Sequence, residues 1–329
     1  MSERPLQHVS VWRLRFLLAT RSLTIVAILV SAISTFARTW WIADLIANLR
    51  IQLILGLLAA LICSVAAKNR KLTGVSALLM LWHTSWLWSA VAPVSQSHRG
   101  PELKVCTINV LTQNTEYDRI IECLKDANPD VIAVLELSSS LEEQLIRELG
   151  VSYPYRLTEP QDDGNFGIGL FSRLPFQSVG VFHLSANWRP SIQAEVQWNQ
   201  QTIQLLAAHP VAPMNSRHFH GRNLDLKLLA ERVQTLRVEH PATPLIVVGD
   251  LNLTPWSPLF HDFLAASELR SASQGRGLTP TWYRWPVFPF GLVLDHGFST
   301  LELVCTGRTI HGDVGSDHRP VTFRFAERR

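Results

Sequence analysis

Two short runs carry the residue types best able to do chemistry: Val247-Val248-Gly249-Asp250-Leu251-Asn252 and Gly315-Ser316-Asp317-His318-Arg319-Pro320. Each places a carboxylate beside a polar partner at the end of a short apolar segment that reads as a buried strand. An Asp-x-Asn pair offers a base that orients or deprotonates water, and an amide that donates to an oxygen as charge builds there. An Asp-His pair offers an imidazole that can carry a proton. Together they meet the needs of a metal-assisted attack on phosphorus. Taken alone, Asp250 and Asn252 also suit a plain Asx turn ahead of Pro255.

Further pieces precede and separate these runs: Cys106-Thr107-Ile108-Asn109-Val110, Val134-Leu135-Glu136-Leu137, Asn165-Phe166-Gly167-Ile168-Gly169 leading to Phe171-Ser172-Arg173-Leu174-Pro175, Ala207-Ala208-His209-Pro210, and Leu294-Asp295-His296. Glu136 closes an apolar strand, where an ionised carboxylate is costly unless it is paired or bound to a metal. In types and order these landmarks resemble the endonuclease/exonuclease/phosphatase superfamily, the group that includes deoxyribonuclease I, over roughly residues 103–325.

The resemblance implies a four-layered α/β/β/α sandwich, two packed mixed sheets with helices outside. It implies Glu136 as the main protein ligand of Mg²⁺ (or Mn²⁺), with Asn109 as an amide on the metal side and Asp317 facing the metal. Asp250 would orient or deprotonate the attacking water and Asn252 would donate to a phosphate oxygen. His318 would contact the scissile phosphate, held in one tautomer by Asp295. His209 would serve as general acid to the leaving oxygen, while a packing role suits His296.

The elements that must position these residues occupy the second part of the chain. Strands are expected near 104–110, 131–135, 167–171, 179–183, 193–198, 202–208, 245–248, 294–298, 303–308 and 321–325, and helices near 114–127, 141–149, 223–238 and 258–266. Arg189, Arg217, His218, His220 and Arg222 are placed in loops, as candidate phosphate contacts or solvated charges. Trp256, the run Trp282-Tyr283-Arg284-Trp285, Phe288 and Phe290 could wall a substrate, meet lipid headgroups or pack in the core.

Charge divides the chain. Of 30 Lys+Arg and 27 Asp+Glu, ten basic and two acidic residues lie in 1–100, a net of +8; the remaining 20 and 25 give 101–329 a net of −5. The basic part is also the apolar part, which suits membrane segments with basic flanks better than a nucleic-acid arm. About three transmembrane helices are expected, near 17–37, 51–67 and 72–92, each close to the ~20 residues a bilayer crossing needs. Arg4, Arg13, Arg15 and Arg21, with Lys68, Arg70 and Lys71, place the N-terminus and the second turn in the cytoplasm. The domain beyond a linker at 93–100 then lies on the extracytoplasmic side of the inner membrane. His83 falls inside the third span and is expected to bond between helices. The four cysteines, Cys63, Cys106, Cys123 and Cys305, have no zinc spacing, and no disulfide is expected.

These observations predict a membrane region (1–92) followed by a divalent-metal-dependent phosphoesterase domain (101–329) that attacks a phosphodiester or phosphomonoester with water. Its partners would be membrane lipids, through the N-terminal helices, and a phosphate-ester substrate: a lipid headgroup, a small molecule or a nucleic acid. Nothing points to a protein partner. The alternatives are a nuclease, which needs a basic groove that a −5 domain does not advertise, and a binding protein that kept the fold without the chemistry.

Overall fold

The computed structural model describes residues 11–93, 97–185, 189–283 and 290–329. Contacts divide the chain into two compact units, Met1–Trp88 and Ser89–Arg329.

The first unit holds α1 (Val11–Ser34), α2 (Trp41–Asn48), α3 (Arg50–Ala66) and α4 (Arg70–Ser85). Among the described residues, α1 is long and apolar enough to cross a membrane; the count reaches two only if α2 and α3, bent by 70° at their junction, form one span. The expectation of about three spans is therefore corrected. α3 has 17 residues, the length expected of the second span, and α4 ends at Ser85, which leaves the third only 16. At 1.5 Å per residue these reach about 24–26 Å, short of a ~30 Å hydrocarbon layer. Asn69 caps α4, its side chain accepting from the Leu72 N–H at 3.2 Å. His83 on α4 is fully buried, its Nε2 2.9 Å from Ser31 Oγ on α1 and its Nδ1 3.2 Å from Arg50 Nη1 on α3. It ties three helices together, and the Arg50 guanidinium lies 4.2 Å from the centroid of the Trp86 ring.

The second unit opens at Ser89, the second residue of α5 (Trp88–Val91). It then runs β1 (His98–Asn109), α6 (Tyr117–Ala127), β2 (Val131–Leu135), α7 (Ser139–Leu149), β3 (Tyr155–Glu159), β4 (Ile168–Ser172), β5 (Phe176–His183), β6 (Pro190–Trp198) and β7 (Gln201–Ala207). After these come α8 (Ser216–Glu239), β8 (Leu245–Asp250), α9 (Pro258–Ser267), β9 (Arg270–Ser271), β10 (Trp282–Tyr283), β11 (Gly291–Leu292), β12 (Asp295–Ser299), β13 (Leu303–Ile310) and β14 (Val321–Arg328). One six-stranded sheet has the order β13-β14-β1-β2-β4-β3 and the other β5-β6-β7-β8-β12-β9. Both are mixed: β1 is parallel to β2 but antiparallel to β14, and β8 is parallel to β7 but antiparallel to β12.

Alternation along the strands sorts the side chains into layers. Leu103 and Val105 of β1, Val131, Ala133 and Leu135 of β2, and Ile246 and Val248 of β8 share one core between the sheets. The intervening Cys106, Ile108, Ile132 and Val134 face outward onto α6 and α7. Leu245 and Val247 face outward onto α8 and α9. The result is helix, sheet, sheet, helix, as the resemblance implied. All four cysteines are free thiols.

At two points the backbones come so close that only glycine fits. A Cβ on Gly249 would stand 1.9 Å from the Ala208 carbonyl oxygen, and Gly249 has φ +150°. A Cβ on Gly167 would stand 1.9 Å from the Leu137 oxygen. Gly249→Ala should therefore lower unfolding free energy by more than about 1 kcal/mol, read as a shift of the urea midpoint at unchanged slope.

Candidate active site

Strand direction brings the chemistry to one edge. The C-terminal ends of β1, β2, β7 and β8 lie at the same end of their sheets as the N-terminal ends of β12 and β14. Alternation then decides which side chains point between the sheets. Asn109 continues the inward row of Leu103 and Val105. Asp250 continues that of Ile246 and Val248, and His209 that of Ile203, Leu205 and Ala207. Asp295 sits opposite Asp250 in the antiparallel register. His318 enters from the loop between β13 and β14.

Asn109 Nδ2 donates to Glu136 Oε1 at 2.8 Å and to Asp250 Oδ2 at 3.2 Å, spanning the two sheets. Asp250 Oδ2 also lies 3.5 Å from His209 Nε2 and 3.5 Å from His318 Nε2, while its Oδ1 accepts the Asn252 N–H at 2.9 Å. His318 Nδ1 meets Asp295 Oδ2 at 2.9 Å. Glu136 has a left-handed backbone (φ +60°), an uncommon conformation for a residue with a side chain. Neighbours brace it: the Leu137 N–H donates to the Gly167 oxygen at 3.0 Å and Thr112 Oγ1 to the Glu136 oxygen at 3.1 Å. Asn252, also left-handed, donates through Nδ2 to the Pro210 oxygen at 2.9 Å, leaving its second amide hydrogen for another acceptor.

Burial and charge compete throughout this cluster. Burial alone would raise Asp250, but the imidazoles of His318 and His209 hold it down to about 2. Burial would lower His318, but the carboxylates of Asp295 and Asp250 carry it up to about 10. Burial pushes Asp295 upward against the pull of His318. Glu136 is raised by burial, opposed by His209 and Asn109. For His209 the loss through burial is outweighed by Asp250, and the net direction is up.

Three buried carboxylates, Glu136, Asp250 and Asp295, thus share two imidazoles. Glu136 Oε2 is buried without a hydrogen-bond partner. An orphaned carboxylate oxygen in a cluster short of positive charge fits a hard divalent cation, which takes oxygen donors and keeps several waters. Asp250, Asp295 and His318 also present ligand atoms within 4.8 Å of one another. There the 2.9 Å contact of His318 Nδ1 to Asp295 is a hydrogen bond, so Glu136 is the better-suited ligand.

Other expected residues lie elsewhere. Asp317 is exposed, and its Oδ2 accepts from Trp282 Nε1 at 2.8 Å; among the described residues no contact joins it to Glu136. His296 faces α9, bonded to the Leu253 oxygen at 2.8 Å and packed on Phe260. Arg217, His218, His220 and Arg222 lie on α8, whose cap is Asn215, and not in a loop. Arg222 is fully buried and donates to the Asn252 oxygen at 3.0 Å, bracing that turn from behind. Arg189 pairs with Asp225 at 2.7 Å and lies over the Phe166 ring, which in turn packs on His209. Trp256 is core. Arg284, Trp285 and Phe288 lie outside the described residues. Sequence reading passed over Ser316, whose Oγ donates to the Asn109 oxygen at 2.8 Å, and Thr281, whose hydroxyl accepts the Asp295 N–H at 3.0 Å. The only signal for either was its place one or two residues from a recognised landmark.

The family model described as "Endonuclease/Exonuclease/phosphatase family" matches residues 106–318. None of the curated proteins matches by sequence. Among solved structures, D. rerio TDP2 complexed with a single-strand DNA product is similar at 19% identity and TM-score 0.56, over 69% of this chain and 99% of that one. The Bacteroides thetaiotaomicron mannosyl-6-phosphatase is similar at 15% identity and TM-score 0.58, over 68% and 99%. The human Nocturnin catalytic domain with bound sulfate is similar at 18% identity and TM-score 0.57, over 71% and 96%. The chain belongs to the endonuclease/exonuclease/phosphatase family, and with it to the hydrolases acting on phosphate ester bonds.

A folded-state value above the ordinary one means that the charged form of His318 stabilises the fold. That contribution is complete below about pH 6.5 and is lost as pH rises through about 10. In metal-free protein, the His318 ring should stay protonated at pH 8 by ¹⁵N NMR. In Asp295→Asn, which removes the nearer carboxylate, its titration should move down toward the ordinary histidine range.

Proposed function

We propose that this protein is a Mg²⁺- or Mn²⁺-dependent phosphoesterase that hydrolyses a phosphodiester or phosphomonoester by in-line attack of water. The observation that carries the reading is the convergence of Asn109, Glu136, His209, Asp250, Asp295 and His318, all buried, at one edge of the two sheets. Glu136 would hold the metal with Asn109 beside it; bound there, the cation would polarise a phosphoryl oxygen. Asp250, ionised well below neutral pH, has the charge to orient and deprotonate water. His318, kept positive by Asp295, suits a non-bridging oxygen on which charge builds. The free amide hydrogen of Asn252 adds a second donor. His209, shared between Asp250 and Glu136, is placed to deliver a proton to the leaving oxygen. Asp317, at the rim, would act on the metal only through an intervening group.

The net charge of −5 over 101–329 favours a lipid headgroup or small phosphorylated molecule over a long polyanion. Full-length protein in detergent, given Mg²⁺ or Mn²⁺, should turn over bis-p-nitrophenyl phosphate or phospholipid micelles in preference to plasmid or single-stranded DNA. Glu136→Ala and His318→Ala should each reduce the rate by about 10²–10⁴-fold. A preference for DNA would make it a nuclease. Loss of both metal binding and turnover in the unaltered protein would leave the non-catalytic reading.

For the first part of the chain we propose a membrane anchor (1–92) and a linker (93–100) leading to the catalytic domain (101–329), with α1 as the crossing helix. Arg13 and Arg15 at its start support a cytoplasmic N-terminus and an extracytoplasmic catalytic domain. A phosphatase reporter fused after residue 329 should be active in the periplasm of a bacterial host; a reporter active only in the cytoplasm overturns the orientation.

A further inference from the structure

The His318–Asp295 pair crosses from one sheet to the other. Asp295 is carried by β12 of the second sheet, whereas His318 leads into β14 of the first. Nothing in either strand alone sets the distance between them. The segment that touches both is Thr281–Tyr283. Thr281 is fully buried. Its Oγ1 accepts the N–H groups of Leu294 and Asp295, each at 3.0 Å, and its own N–H donates to the Leu292 oxygen at 2.8 Å. These three bonds fix it to the Asp295 side. On the other side its carbonyl accepts the Arg319 N–H at 2.7 Å, one residue from His318. Trp282 pairs with His318 as an isolated bridge, and the Tyr283 N–H donates to the Asp317 oxygen at 2.9 Å.

The hydroxyl has no slack. A threonine oxygen has two acceptor sites and one proton; both sites are taken by Leu294 and Asp295, so the proton is left to donate. The hydroxyl's hold on Asp295 is through that residue's backbone N–H, while the carboxylate's Oδ2 is left to His318 Nδ1.

Resting on the proposed phosphoesterase reading, we propose that Thr281 is a positioning residue: it ties the backbone of Asp295 to the backbone that carries His318, and so sets the His–Asp geometry across the two sheets. It touches neither substrate nor metal. It acts by keeping the imidazole aimed while charge develops, so its loss should appear in kcat and leave KM nearly unchanged.

The test compares Thr281→Val, which keeps the shape and removes the hydroxyl, with Thr281→Ser, which keeps the hydroxyl and removes the methyl. Both are measured in full-length protein with Mn²⁺ and bis-p-nitrophenyl phosphate, beside His318→Ala. The expected result is a kcat lowered about 10–100-fold in the Val variant with KM within about twofold, and near-complete recovery in the Ser variant. The proposal is overturned if the Val variant keeps the unaltered kcat, if Ser is as impaired as Val, or if KM alone moves. Should Val fail to fold, Thr281→Ala, which places no methyl against the freed N–H groups, takes its role with the same expectations. Failure of both to fold makes the residue structural and equally overturns the proposal. A His318→Ala variant as active as the unaltered protein would instead sink the phosphoesterase reading, whatever Thr281 does.

Discussion

Four donors from four chain segments meet at the carboxylate of Asp250: the Asn109 amide, the His209 and His318 imidazoles, and the Asn252 backbone N–H. A carboxylate this deeply buried would be strongly destabilising alone. With these partners it stays ionised. The dependence runs both ways, because the same negative charge helps keep His318 positive and raises His209. Removing one member would leave the others as uncompensated charges, so the site stands as a unit.

What makes the unit possible is the packing of two sheets face to face. Inward-facing rows of apolar side chains fill the space between them, and where each row reaches the edge its next position is polar. Glycines sit at tight points along that edge, two within a sheet and one between the sheets. Gly249 lies against Ala208 just before Asp250, Gly167 against Leu137 just after Glu136, and Gly297 beneath the Phe323 ring two residues past Asp295. Polar bonds cross the gap at this edge, from Asn109 to Asp250 at 3.2 Å and from His318 to Asp295 at 2.9 Å.

Much of this was legible in the amino-acid order because strand alternation is a strong signal. Counting in twos from Val105 to Asn109, or from Ile246 to Asp250, already puts the chemistry on one face. Local patterns stopped short where tertiary partners decide. Asp317 follows Ser316 and precedes His318, yet its direction is set by Trp282, a residue distant in sequence. The first turns of α8 are polar, so apolar spacing placed the helix start near Asn223, and Arg222 read as a loop charge while it is buried under Asn252. The β3 strand, at a sheet edge and only half-covered, lacks the apolar run that marked its neighbours. The membrane spans were overcounted because composition does not mark helix ends: the second apolar run is no longer than the 17 residues of α3, and α4 stops at Ser85, before the third apolar run does.

The first sheet is closed by its latest-made strand. β14 lies directly between β13 and β1, pairing Val105 with Phe323 across more than two hundred residues of chain. Until that strand has emerged, β1 has an open edge and His318 has no place to stand. A nascent chain can therefore form α6, α7 and the β5–β6–β7 meander early, but neither the first sheet nor the site can be completed until synthesis of the domain is nearly over. Such long-range closure slows folding and leaves an unpaired strand exposed in the meantime. A chain that stops short of His318 and β14 therefore lacks both part of the site and the strand that joins β13 to β1, a dependence that follows from topology alone.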